Sequence, residues 1–205
     1  MNAARRTATV IAAAAALTGL AACALTGCAT TPTPADLADV VAAWPEQYRV
    51  EGTKAEPLYT ERIEAERDGD VFRLRIDAIG QGDAPLGTQT TGVQVAADGT
   101  VTWLPGCRPA AACADDRPVR GFLTTALVVG LARAGALEAA VTARELHGTP
   151  VLCVDDAALH PDAAATVPLD PCFDRETGAV LGHWSPGSEA FVGPTLAPGF
   201  TITAT

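Results

Sequence analysis

The chain is poor in the residues that usually carry chemistry. It has one lysine, Lys54, two serines, Ser185 and Ser188, and three histidines, His147, His160 and His183. A single lysine excludes a Walker loop and a Ser–Lys pair. The serines sit in Trp184-Ser185-Pro186-Gly187-Ser188, outside any Gly-x-Ser-x-Gly elbow. The histidines show no metal-ligand spacing among themselves, so each reads as exposed or as internally satisfied. Positive charge is scarce as well: 14 Lys+Arg face 24 Asp+Glu, a net charge of −10. That balance excludes the basic face a nucleic-acid binder needs to displace counterions from phosphates. Aromatic residues make up only 5% of the chain, and Ala, Val and Leu must supply most of the core.

Long apolar runs are also missing from the body of the chain. The stretch from Phe122 to Ala132 is apolar but short, and Arg120 and Arg133 bound it. A spanning helix needs about 20 apolar residues. The positive mean hydropathy of +0.20 comes partly from the first segment. Arg5 and Arg6 precede an Ala-rich apolar run through Leu17, and small residues follow, which is the order of a secretory leader. It ends in Leu25-Thr26-Gly27-Cys28, which resembles a bacterial lipobox, as does Leu20-Ala21-Ala22-Cys23. In such motifs the cut falls before the cysteine, and its thiol takes a diacylglycerol. Cys28 is preferred over Cys23, because a polar, Pro-bearing tether follows it at once. The expected organisation is a leader at 1–27, a lipidated tether at 28–34 and one domain at 35–205, the usual count at this length. The leader carries Arg5 and Arg6 and no acid, so its removal takes the net charge from −10 to −12.

Cys107, Cys113, Cys153 and Cys172 remain, and four cysteines allow three connectivities. Disulfides persist in exported chains. Cys107 and Cys113 flank a short loop that a bridge closes easily. Cys153 and Cys172 fall in two neighbouring strands and are paired on that ground. Zinc does not fit, because the spacing lacks close thiol pairs with histidine in register.

Periodicity supplies the rest. Leu37, Val40, Val41 and Trp44 recur at helical spacing over 35–44. The period then becomes two. Strands are expected at 48–53, 59–67, 71–79, 89–97 and 100–104, with hairpin turns at Asp68-Gly69-Asp70 and Asp98-Gly99 and a loop at 80–87. In the second strand Tyr59, Ile63 and Ala65 share a face. In the third Phe72, Leu74, Ile76 and Ala78 do, and Glu64 and Glu66 can lie across from Arg73 and Arg75 on the wet side. From Pro118 to Leu137 the stripe Val119, Phe122, Leu123, Ala126, Leu127, Gly130, Leu131, Ala134, Leu137 reads as a helix, with Gly135 near its end. Strands follow at 141–146, 150–156, 167–173, 180–184 and 200–203. The acidic run Asp155, Asp156, Asp162, Asp170, Asp174 and Glu176 is too dispersed for calcium and reads as a solvated face. The layout is α+β: an antiparallel sheet with helices laid on one face.

This order resembles the lipid-carrier lipoproteins of actinobacterial envelopes, similar in fold to bacterial outer-membrane lipoprotein carriers. The residues that carry the resemblance are the lipobox, the short helix and the meander opening at Tyr48-Arg49-Val50-Glu51-Gly52. They continue with the helical insert, Leu146-His147-Gly148-Thr149-Pro150-Val151 and Asp174-Arg175-Glu176-Thr177-Gly178. The Cys107–Cys113 loop departs from that pattern. The resemblance implies a strongly curved half-barrel sheet with helices on its concave face and an apolar cavity for acyl chains. Phe72, Leu74, Ile76, Trp103, Phe122, Leu127 and Leu131 would line it. The expected protein is a monomer on the extracytoplasmic face of the cell membrane, held there by its N-terminal lipid. It would bind a lipid without catalysis, metal or cofactor. A scaffold or sensor of the same fold, acting through protein contact, is the alternative, and an extracytoplasmic hydrolase is the second.

Overall fold

A computed structural model describes residues 34–105, 121–159, 169–192 and 200–204. The expected leader, Cys23, Cys28, the Cys107–Cys113 loop, Pro118, Val119, His160 and Asp162 lie outside the described residues. Helix α1 covers Pro34–Ala42 and buries Leu37 and Val41. Strands β1 (Gln47–Ala55), β2 (Thr60–Asp68), β3 (Val71–Ile79), β4 (Pro85–Val95) and β5 (Val101–Trp103) follow as a meander. Their two-residue period sets which side chains are buried. Tyr48 and Val50 on β1, Ile63 and Ala65 on β2, Phe72 and Leu74 on β3, and Val93 and Val95 on β4 enter one core. The outward residues are charged and paired in register: Glu66 opposes Arg73 and Glu64 opposes Arg75. Arg73 reaches Glu66 at 3.7 Å, whereas Glu64 takes Arg49 at 2.6 Å instead.

The α+β layout with antiparallel strands is observed, and the first sheet curls as a half-barrel. The strands divide into two sheets rather than one. The second holds β6 (Val141–Leu146), β7 (Thr149–Val154), β8 (Asp170–Asp174), β9 (Val180–Ser185) and β10 (Ala190–Val192), in the order β10-β9-β8-β7-β6. The last strand, β11 (Thr201–Ala204), returns to the first sheet and pairs with β1, Val50 opposite Ile202.

Several boundaries differ from expectation, each for a local reason. The 80–87 loop is shorter, because β4 begins at Pro85 and pairs with Ile79 across a bulge, leaving a 3-10 turn at Gln81–Asp83. The face expected to hold Tyr59, Ile63 and Ala65 buries Arg67 in Tyr59's stead. Arg67 is masked from water because its guanidinium donates to Pro45 O (2.9 Å) and Gly69 O (3.2 Å) and lies over the Phe72 ring. The strand expected at 150–156 stops at Val154, where Asp155 Oδ1 accepts the Ala157 N–H and starts a four-residue helix, α3 (Asp156–Leu159). Chain order makes the long helix α2 (Thr124–Arg133); it covers less than 118–137, and Gly135, at φ 65°, ends it.

The rotation of α2 also differs. Thr125, Ala126, Val128, Val129 and Gly130 are buried, while Leu127 and Leu131 are only partly so. A close backbone approach sets this. Gly130 lies against the Asp98-Gly99 turn, where a Cβ on either glycine would overlap the other's carbonyl oxygen, and Gly99 has φ 86°. Leucine cannot occupy that face, so the helix turns its leucines toward the rim. Arg133 completes the join by donating to Val95 O (3.3 Å) and pairing with Asp70.

Two effects oppose each other in Gly130→Ala. Ala gains roughly 1 kcal/mol of helix propensity, but overpacking against a backbone carbonyl costs about 1–3 kcal/mol. The clash should win, lowering the urea midpoint at unchanged m-value. A raised midpoint would show that the helix stands clear of the turn.

Candidate functional site

The β8–β9 connection, Asp174-Arg175-Glu176-Thr177-Gly178, is a junction that buries Asp174, Thr177 and Gly178 and leaves Arg175 and Glu176 exposed. The Asp174 carboxylate accepts the Thr177 N–H (2.8 Å) and the Thr177 hydroxyl (2.6 Å), and the Gly178 N–H donates to Asp174 O at 2.9 Å. Gly178 has φ 76°, and a Cβ there would overlap the Trp44 ring. Trp44 donates from Nε1 to Arg175 O (3.1 Å) and stacks at 5.6 Å on Phe173. From α2, the Thr125 hydroxyl donates to Gly178 O at 2.6 Å, and the Tyr48 hydroxyl on β1 meets it at 3.4 Å. Both sheets and both long helices thus meet at one turn. Burial pushes the Tyr48 phenol up to about 12. Asp174 and Asp156 are buried, so the acidic run is not wholly a solvated face.

The second sheet carries the cysteine bridge. Cys153 on β7 and Cys172 on β8 are directly opposed and disulfide-bonded, as paired from their strands. Both are buried. Register puts Arg144 and Trp184 on the same face of the sheet as the bridge, from β6 and β9 on either side of it. Their side chains meet, with the guanidinium 3.5 Å from the Trp184 ring centroid, and Phe191 packs edge-on against that ring at 5.3 Å. Burial raises the Asp170 carboxyl, which accepts the Asp156 N–H at 3.1 Å.

The residues expected to line a cavity separate into three groups. Phe72, Leu74 and Phe122 are at most 2% exposed and belong to the core. Ile76, Leu127 and Leu131 are partly buried at its rim. Trp103 is 48% exposed on edge strand β5, opposite Val93. On β4, Thr91 faces Leu74 across the pair, and its buried hydroxyl has no hydrogen-bond partner. A cleft of about 200 Å³ is lined by Glu64, Glu66, Arg73, Leu74, Arg75, Thr90 and Thr91. His183 is buried beside Gly121 and meets Phe122 edge-on at 6.0 Å, and His147 is exposed in a turn at φ 50°. Among the described residues no cluster of three or more His, Cys, Asp or Glu could hold a metal.

Sequence reasoning missed Thr91, Thr125 and the Gly99–Gly130 approach. Thr91 sits in a run of polar residues, Gln89-Thr90-Thr91, which hid its inward face. Thr125 lay beside the stripe rather than on it. The signal available for the glycines was their presence in a turn and in a helix, without any sign that they meet. Comparison with family models, with curated proteins and with solved structures returns no match. The residues quoted above therefore carry the resemblance alone.

Two outcomes follow from the buried hydroxyls. Tyr48 has a folded pKa above its unfolded value of 10, so its proton stabilises the fold fully below pH 10. That contribution, roughly 2–3 kcal/mol for the two units, is lost as pH rises from 10 toward 12. Tyr48→Phe should flatten the stability profile over that window in denaturant melts, and an unchanged slope would assign the loss to another group. Thr91→Val removes an orphaned hydroxyl and should raise stability by about 1 kcal/mol. A fall instead would mean that the hydroxyl is hydrogen-bonded in solution.

Proposed function

We propose that this chain is a non-catalytic lipoprotein, anchored through Cys28 on the extracytoplasmic face of the cell membrane, that binds an acyl-chain ligand. Cys23 is the alternative anchor. In this reading α1 and α2 lie on the concave side of the first sheet, and the ligand lies between them and β3–β4. The observation that carries it is the buried Cys153–Cys172 bridge, joined to a leader that ends in a lipobox. A core disulfide belongs to chains that fold outside a reducing cytosol. Among the described residues no helix is long and apolar enough to cross a membrane.

Support for the ligand comes from chemistry at the rim. Ile76, Leu127 and Leu131 pack partly buried against the core, and Thr91, paired across from Leu74, offers one unpaired hydroxyl. Apolar walls with a single oriented polar group are what a lipid site needs. Helix α2 is tied at one end to Gly178 and at the other to Val95 and Asp70, so entry would pass the rim rather than swing the helix. The exposure of Trp103 favours a second reading, a scaffold acting through protein contact.

Radiolabelled palmitate should enter the wild type and not Cys28→Ala, which should move to the soluble fraction. Labelling lost in Cys23→Ala instead moves the anchor there. Native mass spectrometry of protein from a membrane-bearing host should show bound lipid, and bare protein alone would turn the reading to the scaffold.

A further inference from the structure

We propose that the end of the first sheet built from the β1–β2 and β3–β4 connections is a membrane-contacting tip, and that its partner is the phospholipid surface to which Cys28 would hold the domain. The inference rests on the anchored reading above. Register brings Ala55, Thr60, Ile79 and Pro85 into one row, so the connections at 56–59 and 80–84 stand side by side. At that row stand Leu58 and Leu86, 78% and 60% exposed. With Trp103 they are the large hydrophobic residues most open to water among the described residues. A scattered leucine on a surface is ordinary. Two at one end of adjacent hairpins, with Tyr59 and Ile79 half-buried beside them, make a patch.

The tip is preformed. The Glu56 N–H donates to Tyr59 O at 2.9 Å and the Gly80 N–H to Ala84 O at 2.7 Å, which closes both connections. Leu86 lies over Gly80, close to where a Cβ would sit. Little ordering is left for docking. Lys54 is already paired with Glu56 and Glu61, so the tip offers leucines rather than a free lysine. That chemistry suits the apolar zone of a bilayer better than an acidic protein. The tether also limits the choice of partner. Residues 29–33 separate Cys28 from α1, and at about 3.3–3.6 Å per residue their reach is on the order of 20 Å. A domain held that close meets the bilayer at an effective concentration on the order of millimolar, where a contact too weak to bind alone is populated.

The test uses the full chain, acylated, in phosphatidylcholine vesicles with brominated acyl chains. Leu58→Trp and Leu86→Trp should each add indole emission that the bromines quench about twofold or more. Thr203→Trp, at the far end of β11 beside Arg49, should not. Quenching at the tip no greater than at position 203 overturns the proposal. Acylation is read by mass on the same samples. If neither Cys28 nor Cys23 carries lipid, the anchored reading fails separately. The tip is then read from Cys28→Ala at high vesicle concentration, where adding Leu58→Asp with Leu86→Asp should cut co-flotation roughly tenfold. Unchanged co-flotation overturns it there too.

Discussion

A turn whose base is buried has to satisfy its own backbone there, and the architecture converges on the one at Asp174–Gly178. A turn inside a protein carries N–H and C=O groups that water would otherwise bond, and each left unmet costs about 1–3 kcal/mol. Here the Asp174 carboxylate takes the Thr177 donors, and Trp44 and Thr125 supply donors for the carbonyls of Arg175 and Gly178. Those two side chains come from the residue two past the end of α1 and from the first turn of α2. Satisfying the turn therefore positions both helices against the second sheet. Tyr48 extends the same set of contacts to β1 and the first sheet.

The opposite end of α2 is set by steric exclusion rather than by hydrogen bonds. Gly99 and Gly130 bring a helix and a hairpin turn to backbone contact. With one end pinned by Thr125 and the other by this approach, the rotation of α2 has no freedom left. Val128 and Val129 go to the core and Leu127 and Leu131 to its edge. The rim on which the binding reading depends is thus a by-product of two glycines that bear no apolar surface themselves.

Strands were legible in the sequence wherever one face was buried and the other wet. β3 spans Val71–Ile79 as read from its alternation of Phe72, Leu74 and Ile76 with Arg73, Arg75 and Asp77, and β6 spans Val141–Leu146 as read. The Cys153–Cys172 pair followed from two strands correctly judged to be neighbours. What was hidden is long-range. β10 has three residues and no pattern long enough to see. The sheets divide between β5 and β6, and β11 returns to pair with β1, two long-range choices with no local signal. On α2 the stripe placed Ala126 and Gly130 inward as found, but it ranked Leu127 and Leu131 with them, because a stripe counts hydrophobicity while the contact at Gly130 selects for the absence of a side chain. For the candidate site, the residue types were readable, but their sorting into core, rim and edge came from packing. Leu58 and Leu86 drew no notice because each lies in a segment read as a connection.

The pairing of β11 with β1 has a consequence for when the molecule can close. β1 leaves the ribosome well before β11, its partner on that edge and the last described strand. Until Thr201–Ala204 arrives, one edge of the first sheet presents unpaired backbone groups. Contacts so distant in sequence form slowly, because a long loop must be closed before they repay it. The second sheet, whose strands all neighbour one another in order, has no such wait. The first sheet is then the late half of the fold, and the chain stays open along β1 for as long as its far end is still in transit.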